Sequence, residues 1–282
     1  MSRKVIICSD STSDLDSELL EAYNIKILPL KVHLGGKCFI DGVDIAPDTI
    51  YAHYEQHGEL PKTAAPNMAD FYDFFEKNTA DGSELVFFTI SKSMSSTYNN
   101  ARLAAMNYPG VYVVNTCNLS TGGGLLVVAA SEMARAGKRA AEIARAVGEM
   151  TALVDASFVI DDLTFLHKGG RCSALAAFGA NLLQLKPCIT VREGKMGVSK
   201  KYRGRFARVL EAYIADRLGD GTGIEASHIF VTHAGCDARI VEACVAKVQA
   251  ILPDATVHVT RAGCTVSAHC GRNTLGVLFL RK

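Results

Sequence analysis

Three short segments of this chain collect hydroxyl side chains directly after apolar runs, and they are the first candidates for chemistry. Ser9-Asp10-Ser11-Thr12-Ser13 follows Lys4–Cys8, and Ser91-Lys92-Ser93-Met94-Ser95-Ser96 follows Leu85–Ile90. The third, Thr116-Cys117-Asn118-Leu119-Ser120-Thr121-Gly122-Gly123-Gly124, follows Val111–Asn115. A helix is expected after each. A helix N-terminus presents unpaired N–H groups and a partial positive charge, and Ser and Thr add donors, so such turns suit an anion. In an open parallel sheet, ligands bind beyond the carboxyl ends of the strands, where all three turns would lie. The same residues can also do no more than cap their helices. Their threefold occurrence on one sheet edge is what points to a site.

Spacing narrows the anion. The Gly-x-x-x-x-Gly-Lys-Ser/Thr phosphate loop is absent, and so is the Gly-x-Ser-x-Gly hydrolase elbow. The first turn contains no glycine, which argues against a dinucleotide. A small singly charged group such as a carboxylate remains. Two later segments add positive groups. Leu166-His167-Lys168-Gly169-Gly170-Arg171-Cys172-Ser173 reads as a glycine turn before a helix, with Arg171 able to fork onto a carboxylate. Val266-Ser267-Ala268-His269-Cys270-Gly271 offers His269 as a donor, although a lone histidine is more often structural. His53 and His57 stand four apart on a predicted helix but lack an evident third metal ligand. Nine scattered cysteines without a Cys-x-x-Cys pair read as buried apolar residues and give no sign of zinc. Lys200, Lys201, Arg203, Arg205 and Arg208 form the densest basic cluster, either a solvated hairpin and helix start or a docking surface for an acidic partner.

The elements that must position these residues follow from periodicity. The first half alternates strands and helices: strands at Lys4–Cys8, Leu85–Ile90 and Val111–Asn115, helices at Asp14–Tyr23, from Pro47 to about Gln56, and from an Asn67 cap to Lys77. Ile25–Val32 is extended, and Leu34-Gly35-Gly36-Lys37 is a hairpin turn. Further helices run to about Met106 and Ala136, and Ala140–Leu153 is a helix linking two domains. The second half places strands at Phe158–Asp161, His228–His233, Thr256–Thr260 and Leu275–Leu280, with a hairpin of Ile189–Arg192 and Val198–Tyr202. Its helices fall at Ser173–Leu185, Phe206–Leu218 and Ala238–Leu252. The expected fold is α/β: an N-terminal three-layer α/β/α domain with a parallel sheet over 1–155, and a C-terminal α/β domain with a mixed sheet over 156–282. At 282 residues, two domains fit the length. A net charge of +1 gives no nucleic-acid footprint. The N-terminal apolar run is too short for a signal peptide, and no stretch reaches the roughly 18 apolar residues of a membrane span, so a cytoplasmic location is expected.

Taken in order, the motifs resemble the DegV family of fatty-acid-binding proteins, the FakB-type subunits of bacterial fatty acid kinase. The resemblance rests on Asp10-Ser11-Thr12-Ser13-Asp14-Leu15, Pro29-Leu30-x-Val32, Lys62-Thr63-Ala64-Ala65-Pro66, Ile90-Ser91-x-x-Met94-Ser95-x-Thr97-Tyr98, Lys168-Gly169-Gly170-Arg171, and His269-x-Gly271 followed by Leu275-Gly276-Val277. It implies a long-chain fatty acid such as palmitate or oleate lying between two domains, with the tail in an apolar tunnel. Thr63, Ser95 and backbone amides would hold the carboxylate, with His269 close by and Arg171 near the head group or a kinase-docking surface. A separate ATP-dependent kinase would phosphorylate the bound acid for phospholipid synthesis, leaving this chain without catalysis or cofactor of its own. Three departures from the family pattern stand out: Ala64-Ala65 in place of polar residues, Ser96 in place of glycine, and Arg272-Asn273-Thr274 after Gly271. Ser96 therefore bears on how closely a head group approaches. The alternatives are an enzyme resembling dihydroxyacetone kinase, with His269 or His233 holding the substrate, and a sensor for another small carboxylate.

Overall fold

The structure, a computed structural model, describes residues 4–173 and 185–282. The chain opens with β1 (Val5–Asp10), α1 (Ser17–Ala22), β2 (Lys26–Leu28), β3 (Lys31–Leu34), β4 (Lys37–Ile40) and α2 (Pro47–His57). It continues through β5 (Lys62–Ala64), α3 (Met68–Thr79), β6 (Glu84–Thr89), α4 (Thr97–Ala105), β7 (Val111–Asn115), α5 (Thr121–Arg135) and α6 (Ala140–Met150). Strands β2-β1-β6-β7 form a four-stranded sheet, all pairs parallel. Strand β6 shows why its central run Leu85–Phe88 is apolar. Leu85 and Phe87 pack with Phe71 and Phe75 of α3, while Val86 and Phe88 pack with Leu126 and Val127 of α5 and Ile143 of α6. Alternate side chains meet helices on opposite faces, so no position is left for a polar one. Helix α3 starts on a reciprocal capping box between Asn67 and Asp70.

Helix α6 is the last helix before the second half. It packs on β6, β7 and α5 as part of the first layer set, and a short 3-10 turn at Thr151–Leu153 ends it. Pairing of β4-β3-β5 makes a separate three-stranded antiparallel sheet, a feature beyond the predicted hairpin. Gly35 and Gly36 turn that hairpin at φ 55° and 73°, the left-handed values its geometry requires.

The second half contains β8 (Val154–Ile160), α7 (Thr164–Gly169), β9 (Lys186–Arg192), β10 (Lys195–Tyr202), α8 (Phe206–Leu218) and β11 (Ile224–Ala234). It closes with α9 (Ala238–Ile251), β12 (Val257–Arg261), α10 (Cys264–Cys270) and β13 (Thr274–Arg281). The helix expected at Ser173–Leu185 falls in 174–184, outside the described residues. The six-stranded sheet has the order β10-β9-β8-β13-β11-β12, parallel only between β11 and β12. Helices α8 and α9 cover one face through Leu210, Tyr213, Val241 and Val248. The other face turns Ala156, Val191, Phe230 and Leu278 into the same core as α5 of the first half. The fold is thus α/β with a parallel sheet first and a mixed sheet second, and α5 lies between them.

Candidate functional site

A cavity of about 760 Å³ lies where the two halves meet, within the range typical of small-molecule sites. Thr63 reaches it from β5, Ser95 and Ser96 from the turn between β6 and α4, Arg171 from the segment after α7, and His269 from α10. All five residues singled out from the sequence therefore converge, across more than two hundred positions of chain. Leu30, Met94, Leu119, Phe158, Leu166 and Met196 supply apolar wall. Among the described residues Lys92 and Arg171 are its cations, and no Asp or Glu lines it. The wall is amphipathic and electrostatically set for an anion.

The polar end is organised by one bond between the halves. Thr63 Oγ1 and His269 Nε2 stand 2.9 Å apart. Burial, and then the charge of Arg171, push the His269 pKa down to about 4, so the ring is neutral at pH 7 and carries one N–H. Its Nδ1 is buried without a partner. The tautomer with its proton on Nε2 leaves no buried ring N–H without an acceptor. Nε2 then donates to Thr63 Oγ1, and the threonine O–H is free to donate into the cavity. Ser95 Oγ accepts from Thr97 N at 3.2 Å and is hydrogen-bonded to Thr97 Oγ1 at 2.8 Å. Ser96, at the α4 N-cap, makes no side-chain cap bond and is exposed. Arg171 is exposed and curls back, Nη1 donating to Gly169 O at 2.7 Å.

Of the three hydroxyl turns, only Ile90–Ser96 opens broadly on the cavity. The first is knitted internally: Asp10 accepts from Thr12 N at 3.0 Å, from Thr12 Oγ1 at 2.5 Å and from Ile90 N at 2.8 Å. The third contributes Leu119 alone. Its glycines serve packing, since a Cβ at Gly122 would meet Asn118 Oδ1 at 2.3 Å and one at Gly124 would meet Ser13 O at 2.9 Å. The anion reading of those two turns is corrected accordingly. The predicted glycine turn at 166–173 is also partly helical: α7 runs to Gly169, and Gly170 closes it at φ 69°.

Sequence reasoning missed helix α10 and the two carboxylates that hold it. Asp41 Oδ1 accepts from Cys264 N at 2.8 Å and Oδ2 from Thr265 N at 3.2 Å, while Asp14 Oδ1 accepts from Gly263 N at 2.8 Å. Both acids belong to the first half, and both are buried. The helix is seven residues long, too short to show a period, and Gly263 at its start was the only local signal. Elsewhere, His53 pairs with Glu59 at 3.1 Å and lies against His57. Among the described residues no group of three His, Cys, Asp or Glu side chains could hold a metal. No described helix is long and apolar enough to cross a membrane. Lys200 of the basic cluster is paired with Asp216 at 2.5 Å.

These features define a class: an α/β protein whose two halves enclose an amphipathic cavity with a hydroxyl-imidazole pair at its polar end. The chain belongs to the DegV family, whose model, described as an uncharacterised protein of that family, matches residues 4–282. It is 31% identical over 288 residues to a DegV domain-containing protein of Staphylococcus aureus, covering 99% of both chains. Its fold is similar to a DegV family protein from Thermus thermophilus described for fatty acid binding, with a TM-score of 0.89, 26% identity and coverage of 99% and 100%. A stearic-acid-binding protein from Eubacterium ventriosum is likewise similar, with a TM-score of 0.85, 26% identity and coverage of 99% and 98%.

Proposed function

We propose that this chain binds a long-chain fatty acid such as palmitate or oleate and presents its carboxylate to a separate ATP-dependent kinase. The observation that carries this reading is the convergence of Thr63, Ser95 and His269 on one amphipathic cavity that also presents Leu30, Met94, Leu119, Phe158, Leu166 and Met196. Relatives at 26% identity that bind fatty acids, stearic acid in one case, support the ligand class. In this reading Thr63 donates to the carboxylate, Ser95 and nearby backbone amides add further donors, and Arg171 and Lys92 favour negative charge at the mouth. Ser96 borders the head group, and the tail runs along Leu119 and Phe158. Both residues also border a smaller, almost wholly apolar pocket between the sheets. The chain acts as a substrate carrier with no cofactor and no catalysis of its own, and works in the cytoplasm as two packed domains divided near residue 155.

The energetics agree with that division of labour. Burying about fourteen methylenes at roughly 0.8 kcal/mol each yields on the order of 11 kcal/mol before the costs of association. Each hydrogen bond to the charged head contributes about 1.5–3 kcal/mol. The tail dominates affinity, and the polar end sets orientation and register. Titration of the purified chain with palmitate tests the ligand. Saturable 1:1 binding supports the reading, and no uptake of palmitate or oleate overturns it. Kinase presentation is tested by adding an ATP-dependent fatty acid kinase subunit and trapping acyl phosphate with hydroxylamine. Hydroxamate formed only when this chain is present is the expected outcome. Hydroxamate formed equally without the chain, or none formed with palmitate bound to it, would contradict the presentation step.

A further inference from the structure

Five buried side-chain polar atoms among the described residues lack a hydrogen-bond partner, and two of them belong to one stripe of α10: Thr265 Oγ1 and His269 Nδ1. Residues 265 and 269 are four apart, on the same helix face and about 6 Å apart along the axis. Both line the large cavity. Thr265 is 4% exposed, so water does not readily satisfy its hydroxyl. The helix does not satisfy it either. A helical threonine commonly donates to the carbonyl three or four residues before it. Here α10 begins at Cys264, and the residue four before Thr265 is Arg261 at the end of β12. The backbone around Thr265 is nonetheless fixed, because Asp41 accepts from both Cys264 N and Thr265 N. Main chain and wall are held, and only rotation about χ1 is left to the side chain.

We propose that Thr265 is a further head-group residue, whose hydroxyl turns to the carboxylate of the bound acid and makes the site prefer an acid to an uncharged head of the same tail length. This rests on the fatty-acid reading above. A carboxylate is acceptor-only and has about four lone-pair sites. Thr63 and Ser95 occupy two of them from the first half, and Thr265 approaches from the second, so the head is held from both sides. An unpaired buried hydroxyl gains most from a charged acceptor, because the bond formed is charge-assisted and nothing is displaced from the hydroxyl.

The test is Thr265→Val, which keeps the branched shape and removes the hydroxyl, titrated with palmitate and with hexadecanol. Palmitate affinity is expected to fall about tenfold, with hexadecanol affinity unchanged within about twofold, and Thr265→Ser is expected to restore palmitate binding. Unchanged palmitate affinity, or an equal loss for both ligands, would overturn the assignment, the latter by showing a purely structural role. Should the valine variant melt early, Thr265→Ala carries the same comparison. Wild-type protein that takes up neither palmitate nor oleate would instead sink the fatty-acid reading, and this inference with it.

Discussion

Gly169→Ala probes the polar end without touching any proposed contact to the ligand. A Cβ built at Gly169 would lie 2.7 Å from His269 Nδ1, with the next ring atoms at 3.6 and 3.7 Å. Ordinary contact begins near 3.4 Å, so the imidazole has to yield by about 0.7 Å in a packed wall. Its other nitrogen is already bonded to Thr63 at 2.9 Å and cannot advance. The ring tilts, and that bond breaks. The stability change is small, because overpacking costs about 1–3 kcal/mol while replacing a helical glycine returns up to about 1 kcal/mol. A net loss near 1 kcal/mol is expected. Binding suffers more. With the imidazole displaced, Thr63 is no longer oriented toward the carboxylate, and one charge-assisted bond of about 1.5–3 kcal/mol is lost, a factor of about 10–100 in affinity. Calorimetric titration with palmitate measures the loss, and imidazole nitrogen NMR follows the His269 tautomer. Wild-type affinity together with unmoved His269 resonances would refute the claim that this ring aligns Thr63.

Thr63→Val should weaken palmitate about 10–100-fold without abolishing binding, since the tail supplies most of the free energy; complete loss of binding in a folded variant would contradict that balance. Stability should also depend on pH in an unusual direction. Burial raises the carboxyl pKa of Asp14 to about 8 and that of Asp10 to about 6. The folded chain therefore keeps protons that the unfolded chain has released above about pH 4, and stability falls as pH rises toward 8. The half-buried His233, His258 and His269, whose pKa values are lowered, act in the opposite sense, but only below about pH 6.5. Between pH 6.5 and 8 the melting temperature should drop, as unfolding free energy falls by at most about 1.4 kcal/mol per pH unit for Asp14, and Asp14→Asn should flatten the slope. A wild-type melting temperature that is constant or rising across that window would show that Asp14 is ionised in the fold.

Much of this was legible in the sequence, for identifiable reasons. Strands β6 and β7 announced themselves as short apolar runs, Leu85–Phe88 of β6 being buried on both faces, and Asn67 marked the start of α3 as a cap. The convergence of Thr63, Ser95, Arg171 and His269 came from ordered motifs, since periodicity says nothing about contacts two hundred residues apart. What stayed hidden was set by tertiary geometry. The three-stranded sheet needs β5, a three-residue strand, and α10 is a seven-residue helix; neither is long enough to carry a pattern. The hydroxyls after β1 and β7 looked like those after β6, yet Asp10, Asp41 and Phe88 O accept from the first group and close packing of α5 explains the glycines of the third. Asp14 and Asp41 could not be recognised as holding α10 before the backbone N–H groups of 263–265 were placed against them.

Mass spectrometry of an organic extract from natively purified protein tests the central claim most directly. Long-chain fatty acid at about one equivalent per chain is the predicted result, and a reduced occupancy on Thr63→Val with Thr265→Val would tie it to the cavity described. A clean extract from a protein that also refuses added palmitate and oleate would contradict the account and move the cavity to another small carboxylate or carbonyl ligand.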